Sequence, residues 1–358
     1  MVTTTARSAL RAFSPLDQEL QLTPSGRSRR LTRLVTWLGA QLPYGQTQAV
    51  LAEIGGVHLS KSSCWRIMQE SGACMVEALA AEEVQEKAAA RAWSAPGTRP
   101  VSRERMGIAL DGAMIHLIDE GWKEFKAACV FDVELETRVD RHTQDRGEFG
   151  HAVRNSYVVH LGGPTELGWK AWTEAQRRGW YAARDTLFLG DAAIWIWNQY
   201  QEHFRSSVGL VDWYHALEHL GAAKLLLYPQ ESAQSSRWYN QHEHLLFQGQ
   251  ADQVARSLLH ATTGTSSEPQ TVALRQAAAY FSEHRDYMHY QERRDEGWPI
   301  GSGMIESGAK QFKARFSGAG MRWSRTGAEN LLPIRAAILS GRFDEMWDAA
   351  KKPAPNLN

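Results

Sequence analysis

The chain has 358 residues, 43% of them hydrophobic, and its 40 Lys and Arg residues balance 40 Asp and Glu residues. This length allows two or three domains with packed cores. No apolar run reaches about 18 residues and residues 1–16 lack an apolar secretory segment, so neither a transmembrane helix nor a signal peptide is expected. The three cysteines share no metal-ligand spacing, which favours a reduced, cytoplasmic protein.

The positive charge of this neutral chain is unevenly distributed. Arginines crowd the N-terminal end, and Lys and Arg residues crowd the stretch after residue 305. Two basic zones are compatible with a nucleic-acid partner, although a solvated basic surface explains either zone by itself. The first zone comprises Arg7, Arg11, Arg27, Arg29, Arg30 and Arg33, and the second Lys310, Lys313, Arg315, Arg322, Arg325, Arg335 and Arg342.

Residues 1–100 have the apolar spacing of helices and are predicted to form an all-α DNA-binding region. Within them, residues 44–74 offer a helix, a Gly-Gly break and a second helix opening at Ser60, a good N-cap. This pattern predicts a helix-turn-helix with Trp65 and Ile67 partly inward, although many helix pairs share it without touching DNA. The residues predicted to face outward and contact DNA are Lys61, Ser62 and Arg66.

From about residue 105 the apolar residues follow the pattern of strands. Three strand-like segments come first, and later strands alternate with helices. This order predicts an α/β domain whose mixed sheet is covered by helices on both faces. The predicted strands are residues 106–117, 123–135, 155–163, 185–191 and 207–213.

Helical spacing dominates the rest of the chain and sets the predicted domain boundaries. Residues 101–218 and 298–342 are predicted to form the two parts of one core. Residues 219–297 are predicted to be an all-α insertion between these parts, and residues 343–358 a tail.

Three acidic residues have positions that suit chemistry. Asp111 and Asp191 each end a hydrophobic strand run, and Glu306 lies in the first turn of a helix after a Gly-rich approach. Together they form an oxygen-only donor set suited to two Mg²⁺ or Mn²⁺ ions, which can support phosphodiester cleavage. Taken singly, an ordinary strand-end turn explains each Asp, and a capping Glu after Ser302 explains Glu306. Asp132 on a neighbouring strand is a rival to Asp111 but lacks the following Gly.

Five motifs occur in order along the chain: "ALDGA", "LGDAAIWIW", "DWYHALEHL", "PIGSGMIESGAKQFKARF" and "GMRW". Together they resemble the DDE-type transposases of bacterial insertion sequences, closest to the ISKra type and distantly similar to Mutator-like elements. The resemblance spans roughly residues 30–342. It implies an RNase H-like core in which Asp111, Asp191 and Glu306 are the catalytic acids and metal ligands, with a helical insertion before the last acid.

The segment "DWYHALEHL" admits two interpretations. Read as Asp212-x-x-His215, it is similar to the Cys-or-Asp-x-x-His motif of related transposases, which implies a role in ordering the active site. Read as His215-x-x-Glu218-His219, it matches an inverted zinc-protease motif that needs a further downstream Glu ligand. The protease interpretation leaves the strand-end acids and the basic zones unexplained, so the first interpretation is preferred.

The resemblance implies an enzyme that cleaves DNA at the terminal inverted repeats of its element and joins the freed 3′-hydroxyl to target DNA. It further implies double-stranded DNA as partner, two Mg²⁺ or Mn²⁺ ions, at least two protomers and a cytoplasmic, nucleoid-associated location. A catalytically inactive DNA-binding protein with the same fold is the alternative. Besides the helix-turn-helix, the predicted phosphate contacts are Lys310, Lys313, Arg315, Arg322 and Arg325.

Overall fold

The computed structural model describes residues 22, 26–93, 103–139, 146–264, 267–318 and 320–350. The chain divides into two compact units, residues 1–73 and 74–358. Arg7 and Arg11 of the first basic zone, most of the predicted linker and the end of the predicted tail lie outside the described residues. No helix among those described is both long enough and apolar enough to cross a membrane.

Three helices make up the described part of the N-terminal unit: α1 (Arg29–Gly39), α2 (Tyr44–Gly55) and the start of α3 (Lys61–Trp93). Gly56 ends α2 with φ 59°, a left-handed conformation that glycine adopts without strain. The Ser60 hydroxyl accepts a 3.1 Å hydrogen bond from the Ser63 amide, as the sequence predicts for an N-cap. Buried Val35, Leu38, Leu51, Cys64 and Ile67 form the core between these helices.

The start of α3 presents a polar face to solvent. Lys61, Ser62 and Arg66 are exposed, as predicted, and Ile67 is fully buried. Trp65, predicted to point partly inward, is 45% exposed. A pair of helices with a short connection is therefore present at residues 44–74, with a polar and basic outer face.

The second unit is an α/β domain built on a five-stranded mixed sheet with strand order β3-β2-β1-β4-β5. The pairs β1–β2 and β2–β3 are antiparallel, whereas β1–β4 and β4–β5 are parallel. This arrangement confirms the predicted mixed sheet and is compatible with an RNase H-like fold. The strands are β1 (Arg103–Leu117), β2 (Gly121–Val139), β3 (Arg146–His160), β4 (Ala183–Gly190) and β5 (Val208–Val211).

Helices cover both faces of this sheet. On one face, α4 (Pro164–Arg177) and α5 (Ile194–Gln199), which a π-helical turn extends to Phe204, pack on Ile108 and Leu110 of β1. On the other face lies α11 (Gly303–Phe316), whose Phe312 ring is 5.7 Å from that of Phe125 in β2. Because strand side chains alternate between faces, Asp111 points to the face that α11 covers.

The segment between β5 and α11 is helical, as predicted. It contains α6 (Trp213–Leu227), α7 (Ala233–Phe247), α8 (Ala251–Ala261), α9 (Glu268–Glu283) and α10 (Tyr290–Asp295). The predicted boundary between residues 218 and 219 falls inside α6, so the core and the helical segment share that helix. Gly221 follows this boundary by two residues, but the helix continues through it to Leu227.

The C-terminal region consists of α11, α12 (Arg325–Leu339) and α13 (Phe343–Ala349). The prediction of a tail from residue 343 was wrong for its first half, because α13 is helical and buries Phe343, Met346 and Trp347. These apolar residues lie three to four positions apart, the spacing of a helix with one buried face. Residues 351–358 are outside the described range.

Candidate active site

Three aspartates follow the last paired residues of three adjacent parallel strands. Leu110 of β1 pairs with Gly190 of β4 and Gly190 pairs with Val211 of β5, and each of these is the last pair between its two strands. Asp111, Asp191 and Asp212 are the next residues on the three chains. Parallel strands bring such residues to one edge of the sheet, where ligands bind in open α/β sheets.

Asp111 lies inside β1 and does not end it, in agreement with the strand predicted over residues 106–117. β1 continues to Leu117, and Asp111 pairs with Ala127 of β2 inside the antiparallel hairpin. What ends at Asp111 is the pairing with β4. The carboxylate is therefore held on a strand that is hydrogen-bonded on one side and open on the other.

A tight turn follows β4 and orients Asp191. Its Oδ1 accepts a 2.8 Å hydrogen bond from the Ala193 amide, and its carbonyl accepts one of 2.9 Å from the Trp197 indole. A Cβ atom on Gly190 would lie 2.5 Å from the Ile196 side chain, so only glycine allows this close return of the chain. The sequence "LGDAA" thus encodes the turn as well as the acid.

Asp212 connects two helix N-termini. Its side chain, 2% exposed, accepts hydrogen bonds from the amides of His215, in the first turn of α6, and Ser302, the residue before α11. The Trp213 amide also donates to the Ile300 carbonyl at 3.0 Å. Asp212 therefore fixes the start of the helix that carries Glu306.

Glu306 lies in the first turn of α11 and faces the row of aspartates. The Ser302 hydroxyl donates a 3.3 Å hydrogen bond to its Oε1, and Lys310 Nζ lies 3.9 Å from its Oε2. The side chain is 42% exposed. Both the sequence-predicted cap contact with Ser302 and access to the cleft are therefore present.

These acids line one open cleft of about 460 Å³. Burial raises the pKa of Asp111, a hydrogen bond from the Gly112 amide opposes this, and the charge of Asp191 and then of Glu306 raise it further. Lys313 lowers it. The cleft residues are Leu110, Asp111, Asp191, Asp212, Tyr214, His215, Glu218, Ser302, Gly303 and Glu306.

The donors of the cleft suit a hard divalent cation. Asp111, Asp191 and Glu306 are carboxylates on three separate elements, and their mutual repulsion is the electrostatic condition that a cation relieves. Within the described residues, no three His, Cys, Asp or Glu side chains are already gathered around one point. Binding of a cation by all three acids therefore requires their carboxylates to move closer together.

Asp132, the rival acid, has a structural role. It is 3% exposed and pairs with Arg154 at 2.6 Å and with Arg178 at 2.9 Å. It lies opposite Met106, five residues before Asp111 on β1. The structure therefore separates it from the other acids.

Only some of the predicted C-terminal DNA contacts are exposed. Lys310, Lys313 and Arg322 face solvent. The prediction for Arg315 was wrong: it is 2% exposed, and its guanidinium lies 4.9 Å from the centre of the Trp323 ring. The Arg325 side chain is 41% exposed, and Glu120 binds its guanidinium through two hydrogen bonds of 2.6 and 2.9 Å.

His215 and His219 belong to an aromatic stack. Their ring centres are 5.0 Å apart, and the His219 ring stacks on Tyr280 of α9 at 3.7 Å. Burial and the neighbours His215 and His284 lower the pKa of His219 to about 4. Packing against Tyr280 thus accounts for His219 without a metal.

Ser302, which lines the cleft, and Tyr280, which stacks on His219, were not predicted as site residues from the sequence. Ser302 was noted only as a helix cap, although its amide also binds Asp212. Tyr280 comes from the helical segment between Asp191 and Glu306, where local spacing carries no signal of a long-range contact. No family model matches the chain, and no curated protein matches its sequence.

Proposed function

We propose that the protein is a DDE-type transposase with an RNase H-like catalytic core. The observation that carries the proposal is the common cleft of Asp111, Asp191 and Glu306. Two of these acids follow the last residues that pair β1 with β4, and the third begins the helix on the same face of the sheet. Three of the five ordered sequence motifs fall on these elements, which supports the same assignment: "ALDGA" on β1, "LGDAAIWIW" at the end of β4 and "PIGSGMIESGAKQFKARF" on α11.

In the proposed reaction, the carboxylates of the cleft give it the negative charge that divalent cations need for binding. Asp111, Asp191 and Glu306 would hold two Mg²⁺ or Mn²⁺ ions, which supply activation of the nucleophile and stabilisation of the leaving oxygen. Asp212 acts at a distance, because its bonds to His215 and Ser302 set the position of α11 and hence of Glu306. Water first cleaves a phosphodiester at the element end, and the freed 3′-hydroxyl then attacks a phosphodiester of target DNA.

DNA recognition is assigned to the exposed basic residues. In the N-terminal unit, Lys61, Ser62 and Arg66 would contact the terminal repeats from the start of α3. Beside the cleft, Lys310, Lys313 and Arg322 would bind phosphates, which fixes the register of the strand without reading its sequence. Pairing two element ends requires two protomers, so we expect a dimer on DNA.

Cleavage of labelled DNA tests the proposal. The substrate is a duplex of the noncoding DNA that flanks the reading frame, incubated with Mg²⁺ or Mn²⁺. Asp191→Asn is expected to abolish cleavage and to leave DNA binding intact. Its matched control is Glu218→Gln, a cleft residue with no assigned role in this reaction but the general base of a zinc protease.

Full cleavage by Asp191→Asn contradicts the proposal. Specific binding of the ends without cleavage by the wild-type protein also contradicts it, and indicates an inactive DNA-binding protein instead. Loss of activity in Glu218→Gln alone would favour the zinc-protease interpretation of the "DWYHALEHL" segment over the transposase interpretation.

A further inference from the structure

The hydroxyl of Tyr280 is a hydrogen-bond donor without a partner. Its oxygen is shielded from solvent, and no group of the described residues lies in hydrogen-bond geometry to it. A buried hydroxyl left unpaired costs about 1–3 kcal/mol of stability. Such a group calls for an explanation, and a ligand that completes the bond is one.

The charges of the acid cleft act on this hydroxyl. Burial raises the pKa of Tyr280, and the charges of Asp191, Asp212 and Glu218 raise it further in that order. The phenol therefore stays protonated over the whole physiological range and can only donate or accept a hydrogen bond. It does not become a phenolate nucleophile.

The ring of Tyr280 is held in a fixed position. One face stacks on His219, with ring centres 3.7 Å apart and planes 12° from parallel. Phe281, the next residue, is fully buried and anchors α9 at this point. The Tyr280 carbonyl also accepts a 2.9 Å hydrogen bond from His284 Nδ1. A donor fixed in this way loses little entropy when an acceptor arrives.

The same side chain borders a second cavity of about 430 Å³, next to the acid cleft. One wall consists of the residues that follow Asp191, from Ala192 to Asn198, and the other is α9. The cavity thus lies between the chain that follows Asp191 and the helix that carries Tyr280. The cavity residues are Ala192, Ile194, Trp197, Asn198, Gln276, Ala279, Tyr280, Glu283 and His284.

We propose that Tyr280 is a further catalytic residue, whose hydroxyl donates a hydrogen bond to a non-bridging oxygen of the phosphodiester under attack. This inference rests on the proposed transposase function and deepens it. Negative charge grows on that oxygen during cleavage, and a fixed donor in a shielded site stabilises it. The helical segment between Asp191 and Glu306 would then supply a catalytic hydrogen-bond donor in addition to any DNA contacts.

Tyr280→Phe isolates the hydroxyl, because the ring and its stack on His219 remain. The matched control is Tyr290→Phe: this ring, fully buried and 4.7 Å from that of Trp213, also has an unpaired hydroxyl. Tyr290 lines neither the acid cleft nor the second cavity. Removal of either hydroxyl is expected to leave the melting temperature unchanged or to raise it.

The rate of metal-dependent cleavage of the flanking-DNA duplex is measured under single-turnover conditions, together with the affinity for that duplex. Tyr280→Phe is expected to lower the rate on the order of 100-fold at unchanged affinity and without lowering the melting temperature, and Tyr290→Phe to cleave at the wild-type rate. Wild-type rates in Tyr280→Phe overturn the inference and leave the transposase proposal intact. Equal losses in both variants, or a lower melting temperature of Tyr280→Phe, indicate a structural role and overturn it too. Absence of cleavage by the wild-type protein overturns both proposals.

Discussion

Asp111 and Asp191 occupy equivalent positions on neighbouring parallel strands, each one residue beyond the Leu110–Gly190 pair that ends the β1–β4 ladder. The two carboxylates reach this position by different routes. Asp111 lies within a long strand that continues as a hairpin, whereas Asp191 begins a turn into a helix. Strand pairing thus holds Asp111 in place, and the turn after β4 holds Asp191.

The turn after β4 depends on the absence of a side chain at residue 190. Gly190→Ala is expected to lower the free energy of unfolding by about 1–3 kcal/mol, because its Cβ would lie 2.5 Å from Ile196. Gly221→Ala, in α6 with nothing within 4 Å, is the control and should be stabilising by about 0.5–1 kcal/mol. Urea unfolding measures both. Equal effects at the two positions would contradict the close packing at Gly190.

Asp212 is predicted to be essential for the order of the cleft. Asp212→Ala removes an N-cap of α6 and leaves the buried Ser302 amide unpaired, so it should lower the free energy of unfolding by about 2–4 kcal/mol. Asp252→Ala, which removes an exposed pair with Arg256, should change it by less than about 1 kcal/mol. Chemical denaturation compares the variants. A similar small effect of both would show that Asp212 does not fix α11.

Much of this architecture is encoded in local sequence patterns. Apolar alternation predicts the five strands, and the turn chemistry of "LGDAA" predicts the end of β4. The strand predicted over residues 106–117 already extends past Asp111, and the hairpin of β1 and β2 confirms it. The sequence did not reveal that the pairing of β1 with β4 stops at Leu110, just before Asp111.

The error at Arg315 has a different cause. Ile305, Ala309, Phe312 and Phe316 form one buried stripe on α11, and Arg315 falls beside it. The helical spacing of the apolar residues therefore indicates that Arg315 is buried. The prediction was wrong because it followed the charge of Arg315 and not this spacing. The position of Tyr280 could not be predicted, because its stack on His219 depends on how α9 packs against α6.

The exposed and buried arginines of the second basic zone should behave differently towards DNA. Arg322→Ala is expected to weaken binding of the flanking-DNA duplex and to reduce the slope of log affinity against log salt by about 1. Arg315→Met should leave that slope unchanged, because the guanidinium packs against Trp323. Fluorescence anisotropy at several salt concentrations measures both slopes. A reduced slope in Arg315→Met alone would contradict the structure.

Stability is predicted to fall in acid because of His219. Its pKa of about 4 in the folded state lies below the ordinary value of about 6.5 expected in the unfolded chain. Between these pH values the unfolded state binds more protons than the folded state. The contribution of His219 to the free energy of unfolding is therefore fully present above about pH 6.5 and is lost as the pH falls towards 4. Unfolding of His219→Phe at several pH values should show a shallower acid loss than wild type. An identical loss would contradict the low pKa.

The three cysteines are predicted to differ in reactivity. Burial raises the pKa of Cys129 to about 12, and Cys64 is also buried with a raised pKa, whereas Cys74 is exposed. Because the thiolate is the reactive form, a thiol reagent at pH 8 should modify only Cys74 in the native protein. Denaturant should expose all three. Fast labelling of Cys129 in the native protein would contradict its burial in β2.

The central claim is that Glu306 acts with Asp111 and Asp191 in one metal-dependent cleavage of a phosphodiester. Cleavage of the labelled flanking-DNA duplex by wild type and by Glu306→Ala, with DNA binding measured in the same samples, tests it most directly. The account predicts Mg²⁺- or Mn²⁺-dependent cleavage by wild type, and binding without cleavage by Glu306→Ala. Equal cleavage by the two proteins would contradict it.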